Sequence, residues 1–245
     1  MKRMMILVLV GVIFGFTAEA QRTPREETSI VIIKAPSKEP RNPYQEEYEK
    51  LLYPTVRITV GYSTGSGVVI SNTNYTNGDE WTRIDILTAA HVVEDQITVN
   101  IEFYNSEIIT GTVVATDTVK DLALIRVIRG IRDIRVLYSA RLAPESYTAY
   151  LFTPIYTVGC SLGLLPRPSQ GIISVIDKDH WEITAPILPG NSGGPVYDGR
   201  TYEVIGIAVW VKLYNGQLVT TMAGIVPINQ IYEFLEPLIN TNTHK

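Results

Sequence analysis

The chain has 245 residues, 45% of them hydrophobic and 19% charged, and its 21 basic and 25 acidic side chains give a formal net charge of −4. That length suits one domain or two small lobes sharing a core, and the apolar content excludes a chain that is mainly disordered. Mild acidity without any Lys/Arg block excludes a nucleic-acid binder, and a single long apolar run, at the N-terminus, excludes a polytopic membrane protein.

That run, Met4 to Phe16, follows Lys2 and Arg3 and precedes Thr17-Ala18-Glu19-Ala20. A charged start, a short apolar middle and a small-x-small ending read as a secretory signal peptide over residues 1–20, cut after Ala20. An apolar run of this length spans about 20 Å as a helix, short of the ~30 Å hydrocarbon core, so no stable membrane span is expected after cleavage. The expected location is therefore outside the cytoplasm, periplasmic or extracellular. Cys160 is the only cysteine, so no disulfide staples the exported chain, which fits a bacterial-type envelope. The thiol itself reads as a small buried hydrophobe.

Residues 21–43 are polar and punctuated by Pro24, Pro36, Pro40 and Pro43, and form a flexible arm with one apolar patch at Ile30 to Ile33. Tyr44 to Leu52 predicts a short helix ended by Pro54. From Val56 the pattern is β, with strands predicted at 56–60, 67–70, 84–87, 97–101, 112–114, 122–127, 172–176, 181–184, 204–211 and 218–221. Asn77-Gly78, Asp198-Gly199 and Asn215-Gly216 are hairpin-turn dipeptides. Short, closely spaced strands with almost no helix between them imply antiparallel sandwiches or barrels. A closing helix is predicted over 228–238, its apolar face at Ile231, Phe234 and Leu235, followed by a tail at 241–245.

Three strings carry chemistry. Leu87-Thr88-Ala89-Ala90-His91 places a histidine after a strand and two small residues, Lys120-Asp121-Leu122 places an acid before an apolar strand, and Gly190-Asn191-Ser192-Gly193-Gly194-Pro195 frames a serine with glycine. Each alone also has a plain structural reading: a satisfied histidine, a strand-capping carboxylate, a loop. Together they supply a nucleophile, a base to take its proton and an acid to fix the base's tautomer. A glycine-framed serine also frees backbone N–H groups, naturally those of Gly190 and Ser192, to meet an oxyanion. His180 and His244 form no metal-ligand spacing with another His or Cys, so no metal is expected, and no nucleotide-binding loop or other cofactor signature is present.

These strings, in this order, resemble the trypsin-like serine protease superfamily, and Asn191, the absence of disulfides and the export signal resemble its bacterial HtrA-type branch. Gly65-Ser66-Gly67-Val68, Val158-Gly159-Cys160-Ser161 and Gly224-Ile225-Val226-Pro227 extend the match over about residues 50–240. The resemblance implies a protease domain at 44–240 made of two six-stranded antiparallel β-barrels, about 50–140 and 141–228, with the cleft between them. His91 and Asp121 would come from the first barrel and Ser192 from the second, with Asp117 a nearby alternative acid. No PDZ domain is expected. Digestive relatives carry aspartate where Asn191 stands, so no zymogen ion pair is expected, and the stretch Leu162 to Gly171 is the expected flexible regulatory loop. The pocket for the residue before the scissile bond would be floored by Pro186 and walled by Val209, Trp210 and Val211, and the branched Val211 would favour small aliphatic residues. The implied partners are protein or peptide substrates, and Tyr44, Tyr48 and Tyr53 are candidate contacts of a homo-oligomer. The reading from a different class is a catalytically silent, protease-like peptide-binding or chaperone protein.

Overall fold

Side chains that alternate between two faces of each strand close here into two barrels. The structure, a computed structural model of the chain, describes residues 42–75, 81–130 and 138–240. The signal segment, the arm before residue 42, the Asn77-Gly78 turn and the tail lie outside the described residues. Barrel one contains β1 (Thr55–Val60), β2 (Ser63–Tyr75), β3 (Trp81–Thr88), β4 (Thr98–Glu102), β5 (Ile108–Asp117) and β6 (Leu122–Gly130), in the order β1-β2-β3-β6-β5-β4. Barrel two contains β7 (Pro154–Gly159), β8 (Arg167–Ile176), β9 (Trp181–Ile183), β10 (Pro195–Asp198), β11 (Val204–Tyr214) and β12 (Gln217–Pro227), in the order β10-β11-β12-β9-β8-β7. The strand pairs in both are antiparallel, so the expected all-β, two-barrel architecture holds.

The burial pattern explains why some strands read as alternating and others as continuous apolar runs. Val56, Ile58, Val69, Ile84, Ile86, Ile101 and Ile125 fill barrel one. Val68, Leu87, Leu122 and Leu124 point the other way and join a second core with Ile155, Ile173, Ile183, Ile207 and Ile225 of barrel two. β6 is therefore buried on both faces, its Ala123 and Ile125 inside the barrel and its Leu122 and Leu124 against the neighbour. Fully burying each such side chain stabilises by about 1.5–3 kcal/mol, so the barrel contact is part of the hydrophobic core.

Several elements differ from the sequence expectations. The helix before Pro54 is only three α-helical residues, α1 (Gln45–Glu47), followed by a π-helical turn over Tyr48–Leu52. Tyr53 is half-buried, stacked at 4.3 Å on Tyr104 and tilted at 5.0 Å against Tyr138, whereas Tyr44 and Tyr48 are exposed. β7 and β10 fall outside the predicted strand ranges, being short strands with prolines and glycines at their ends. The stretch Leu162 to Gly171 is a loop only as far as Pro166, since Arg167–Gly171 belong to β8 and pair with β7. Pro168 is tolerated there because β9 pairs β8 only from Ile173 onward, leaving its other edge open at that point.

Asn215-Gly216 forms the expected two-residue turn between Tyr214 and Gln217, with φ of 49° and 76°. Asp198-Gly199 instead opens a longer loop, in which Asp198 N–H donates to Glu203 O and Tyr202 N–H to Asp198 O. The closing helix α3 (Ile228–Asn240) buries Ile231, Phe234 and Leu235 as expected. Among the described residues no helix is long and apolar enough to cross a membrane.

Candidate active site

β3 ends at Thr88, and the chain turns through the buried Ala89 into α2 (Ala90–Val93). Ala89 and Ala90 leave room for that sharp corner, so the His91 imidazole projects outward with 47% of its side chain exposed. Asp121 directly precedes β6 and meets His91 twice. The His91 N–H donates to Oδ1 at 2.9 Å, and Nδ1 lies 2.7 Å from Oδ2. An ionised carboxylate only accepts, so Nδ1 carries the proton and the Nε2 lone pair of the neutral ring is left for a substrate-side group. The hydrogen bond to Asp121 raises the His91 pKa above 6.5, its effect exceeding the opposing effect of burial. Asp121 adopts a left-handed φ of 56°, which aspartate tolerates better than most residues and which aims the carboxylate at the imidazole. Asp117 serves elsewhere: it accepts from the backbone N–H of Val119 and Lys120 and caps their turn, and the Lys120 bond holds its carboxyl below the usual range.

Ser192 lies on the loop between β9 and β10, and every carbonyl from Pro189 to Ser192 is bonded. Pro189 O accepts from Leu162 N–H at 2.7 Å, Gly190 O from Ser66 Oγ at 2.7 Å, Asn191 O from Gly194 N–H at 2.9 Å and Ser192 O from Ser66 N–H at 2.8 Å. Trans peptide units point N–H opposite to C=O. The N–H groups of Gly190 and Ser192 therefore point away from the contacts made by Pro189 O and Asn191 O, and among the described residues neither has an acceptor.

Two glycines make this path possible. Gly190 has φ +96°, and a Cβ there would meet Cys160 O at 2.3 Å. Gly193, at φ +80°, would place a Cβ 2.2 Å from Thr88 Oγ1 and 2.9 Å from Ala89 N, so the serine loop packs on the corner that carries His91. Among the described residues no hydrogen bond joins Ser192 Oγ to His91.

Around this centre, Asn191 is buried and its Oδ1 accepts from Ser161 Oγ at 2.6 Å, so a neutral hydroxyl faces the position where a zymogen-type ion pair would need an ammonium. Cys160 is buried, and burial pushes its thiol pKa up to about 11, which makes it a poor nucleophile. Val211 stands directly opposite Ala223 across β11 and β12, placing a branched side chain against a small one. Trp210 lies over Gly224 and 5.9 Å from the His180 ring, at the edge of a cavity of about 590 Å³ that reaches Asp121 and Val209. Pro186 is exposed, and its carbonyl accepts from Ser169 Oγ at 3.3 Å.

The sequence reading did not assign individual roles to Ser66, Ser161 or Ala223; Ser66 and Ser161 were marked only as members of the matching strings Gly65-Ser66-Gly67-Val68 and Val158-Gly159-Cys160-Ser161. Among the described residues no group of three His, Cys, Asp or Glu side chains is placed to hold a metal ion.

Comparison with known proteins gives a consistent picture. The profile of the trypsin-like peptidase domain matches residues 65–207. A protein named serine protease HtrA-like from Staphylococcus epidermidis is 33% identical over 193 residues, covering 71% of this chain and 30% of that protein. A putative serine protease HhoB from Synechocystis is 30% identical over 162 residues, covering 61% of this chain and 35% of that one. The chain thus spans about a third of the length of these curated relatives. Among solved structures, the HtrA-type protease AlgW with tripeptide superposes with a TM-score of 0.67 at 19% identity, covering 82% of this chain and 65% of that one. A serine endoprotease from Yersinia pestis gives 0.64 at 20% identity, covering 83% and 69%.

Proposed function

The chain belongs to the trypsin-like peptidase family, and from that premise we propose that it is an exported serine endopeptidase that hydrolyses peptide bonds of unfolded proteins through an acyl-enzyme. Ser192 Oγ attacks the scissile carbonyl carbon while His91 Nε2 takes its proton. Asp121 holds the ring in the tautomer with Nδ1–H and stabilises the imidazolium that forms. The N–H groups of Gly190 and Ser192 receive the oxyanion of the tetrahedral intermediate. His91 then protonates the departing amine, the Ser192 ester remains, and a water activated by the same imidazole releases the acid. The observation that carries this reading is the packing of the glycine-bent Ser192 loop on the corner where His91 is locked to Asp121.

The residue before the scissile bond would sit between Pro186 and the Val209-Trp210-Val211 segment, and the Val211–Ala223 pairing supports a preference for small aliphatic side chains. Export rests on the N-terminal segment, whose charged, apolar and small-residue parts follow the secretory order.

A second reading, a peptide-binding protein without turnover, is favoured by the lack of a hydrogen bond between Ser192 and His91, although catalytic contacts often tighten only with substrate bound. A fluorophosphonate probe separates the two. Labelling and digestion of an unfolded protein are expected for the wild type and lost in Ser192→Ala, with kcat down by about 10⁶-fold. A wild-type chain that binds unfolded protein but neither labels nor cleaves it is the second reading.

A further inference from the structure

Ser66 has no part in the acyl-transfer scheme, yet it is fully buried and each of its polar groups is engaged where the two barrels meet. Its N–H donates to Ser192 O at 2.8 Å. Its hydroxyl donates to Gly190 O at 2.7 Å and accepts from Cys160 N–H at 2.8 Å. Its own carbonyl accepts from Thr88 Oγ1 at 2.6 Å, which ties the residue to the end of β3, three residues before His91. One serine of barrel one thus grips three backbone groups of barrel two, among them the carbonyl that follows each oxyanion donor assigned above.

We propose that Ser66 is a positioning residue for the oxyanion site, restraining from the opposite barrel the peptide units that follow the Gly190 and Ser192 N–H groups. The peptides that carry those N–H groups are themselves held by Leu162 and Gly194. The inference rests on the peptidase reading and adds a residue to it. Gly190 at φ +96° lies where glycine has several backbone wells of similar energy, so its own chain does not specify one peptide orientation. Each donor N–H shares a Cα with a carbonyl that Ser66 holds, at Gly190 through the side chain and at Ser192 through the backbone. Anchoring those carbonyls narrows the rotation left to the adjoining N–H groups before substrate arrives. Such preorganisation makes a fixed dipole more effective than a mobile one. The hydroxyl is the part mutation can remove, because the Ser66 N–H bond to Ser192 O survives substitution.

Ser66→Ala tests this against Thr82→Ala, a buried hydroxyl of β3 whose Oγ1 donates to Asn74 at 2.6 Å, outside the serine loop. In Ser66→Ala we expect kcat to fall about 10- to 100-fold with KM within about twofold, short of the 10²–10³-fold typical of losing a donor outright. Affinity for a peptide boronic acid, whose tetrahedral adduct uses the same donors, should fall in step with kcat/KM. Amide hydrogen exchange over residues 188–194 should accelerate in Ser66→Ala and stay at the wild-type rate in Thr82→Ala. Unchanged kcat, a loss carried by KM alone, an equal loss in Thr82→Ala, or unaltered exchange over 188–194 overturns the proposal. If the wild type proves to have no turnover, the peptidase reading falls while the exchange comparison still decides whether Ser66 orders the loop. Ser66→Cys keeps the side chain's shape while weakening both hydroxyl bonds, and carries the same measurements with smaller changes if the alanine variant does not fold.

Discussion

Barrel one presents His91 and Asp121 as side chains that hold each other, whereas barrel two presents Ser192 on a loop held partly within its own barrel and, at two carbonyls, from across the interface. The His91–Asp121 contact closes within barrel one, between the corner after β3 and the residue before β6. The Ser192 loop depends on Ser66 for two of its carbonyls. The neighbouring turn, whose Leu162 N–H holds a third, is itself tied to barrel one by Arg57 Nη1 donating to Gly163 O at 2.7 Å. A base needs a fixed tautomer, which one local carboxylate supplies. An oxyanion needs two backbone dipoles aimed at one point, which glycine-rich backbone permits but does not enforce. The difference gives barrel one a share in holding the backbone of barrel two's serine loop.

The largest expected effect comes from breaking the local half of this arrangement. Asp121→Asn should lower kcat by about 10⁴-fold with KM nearly unchanged, since the amide no longer requires Nδ1 to be the donor. Steady-state kinetics on a peptide ester checks it; a loss below tenfold would mean that the carboxylate does not orient the base. A smaller effect is expected at the pocket. Val211→Gly removes the branched side chain opposite Ala223 and should raise the kcat/KM ratio of a Phe substrate to an Ala substrate by about 10- to 200-fold. Library cleavage profiling measures the ratio, and an unchanged profile would place the pocket wall elsewhere.

The legibility of these parts in the sequence follows the same division. His91 and Ser192 stand out because their neighbours are small or glycine for local reasons, and Asp121 because it directly precedes the apolar strand β6. The barrels were legible where strands are long and alternate, or run apolar because both faces are buried, as in β6. β10 was hidden, being four residues long and entered through Gly-Gly-Pro. Ser66 was readable only as part of a matching string, because its role depends on partners such as Cys160 and Gly190, 94 and 124 positions away. Local pattern reports local constraint, and a tie across two barrels leaves little mark in either segment. Pro168 lies within β8, where an open strand edge accommodates a residue that usually argues against a strand.

The smallest expected effect sharpens the comparison through pH. Bonding to Asp121 raises the His91 pKa above 6.5, so the neutral ring needed as base appears only at higher pH. The acid limb of kcat/KM should accordingly have its midpoint above 6.5. Stability should move the other way. The raised folded-state pKa means that the contribution of protonated His91 is fully present below 6.5 and is lost as pH rises through the higher folded value. With the imidazole about half exposed, that contribution is reduced by solvent screening. In Asp121→Asn the residual activity should keep an acid limb displaced downward, and the stability change across the same window should flatten. Urea midpoints at several pH values, read beside the rate profile, test both. If the limb stays put while the stability curve flattens, the group titrating in catalysis is not His91 bound to Asp121, and the local half of the site would have to be reassigned.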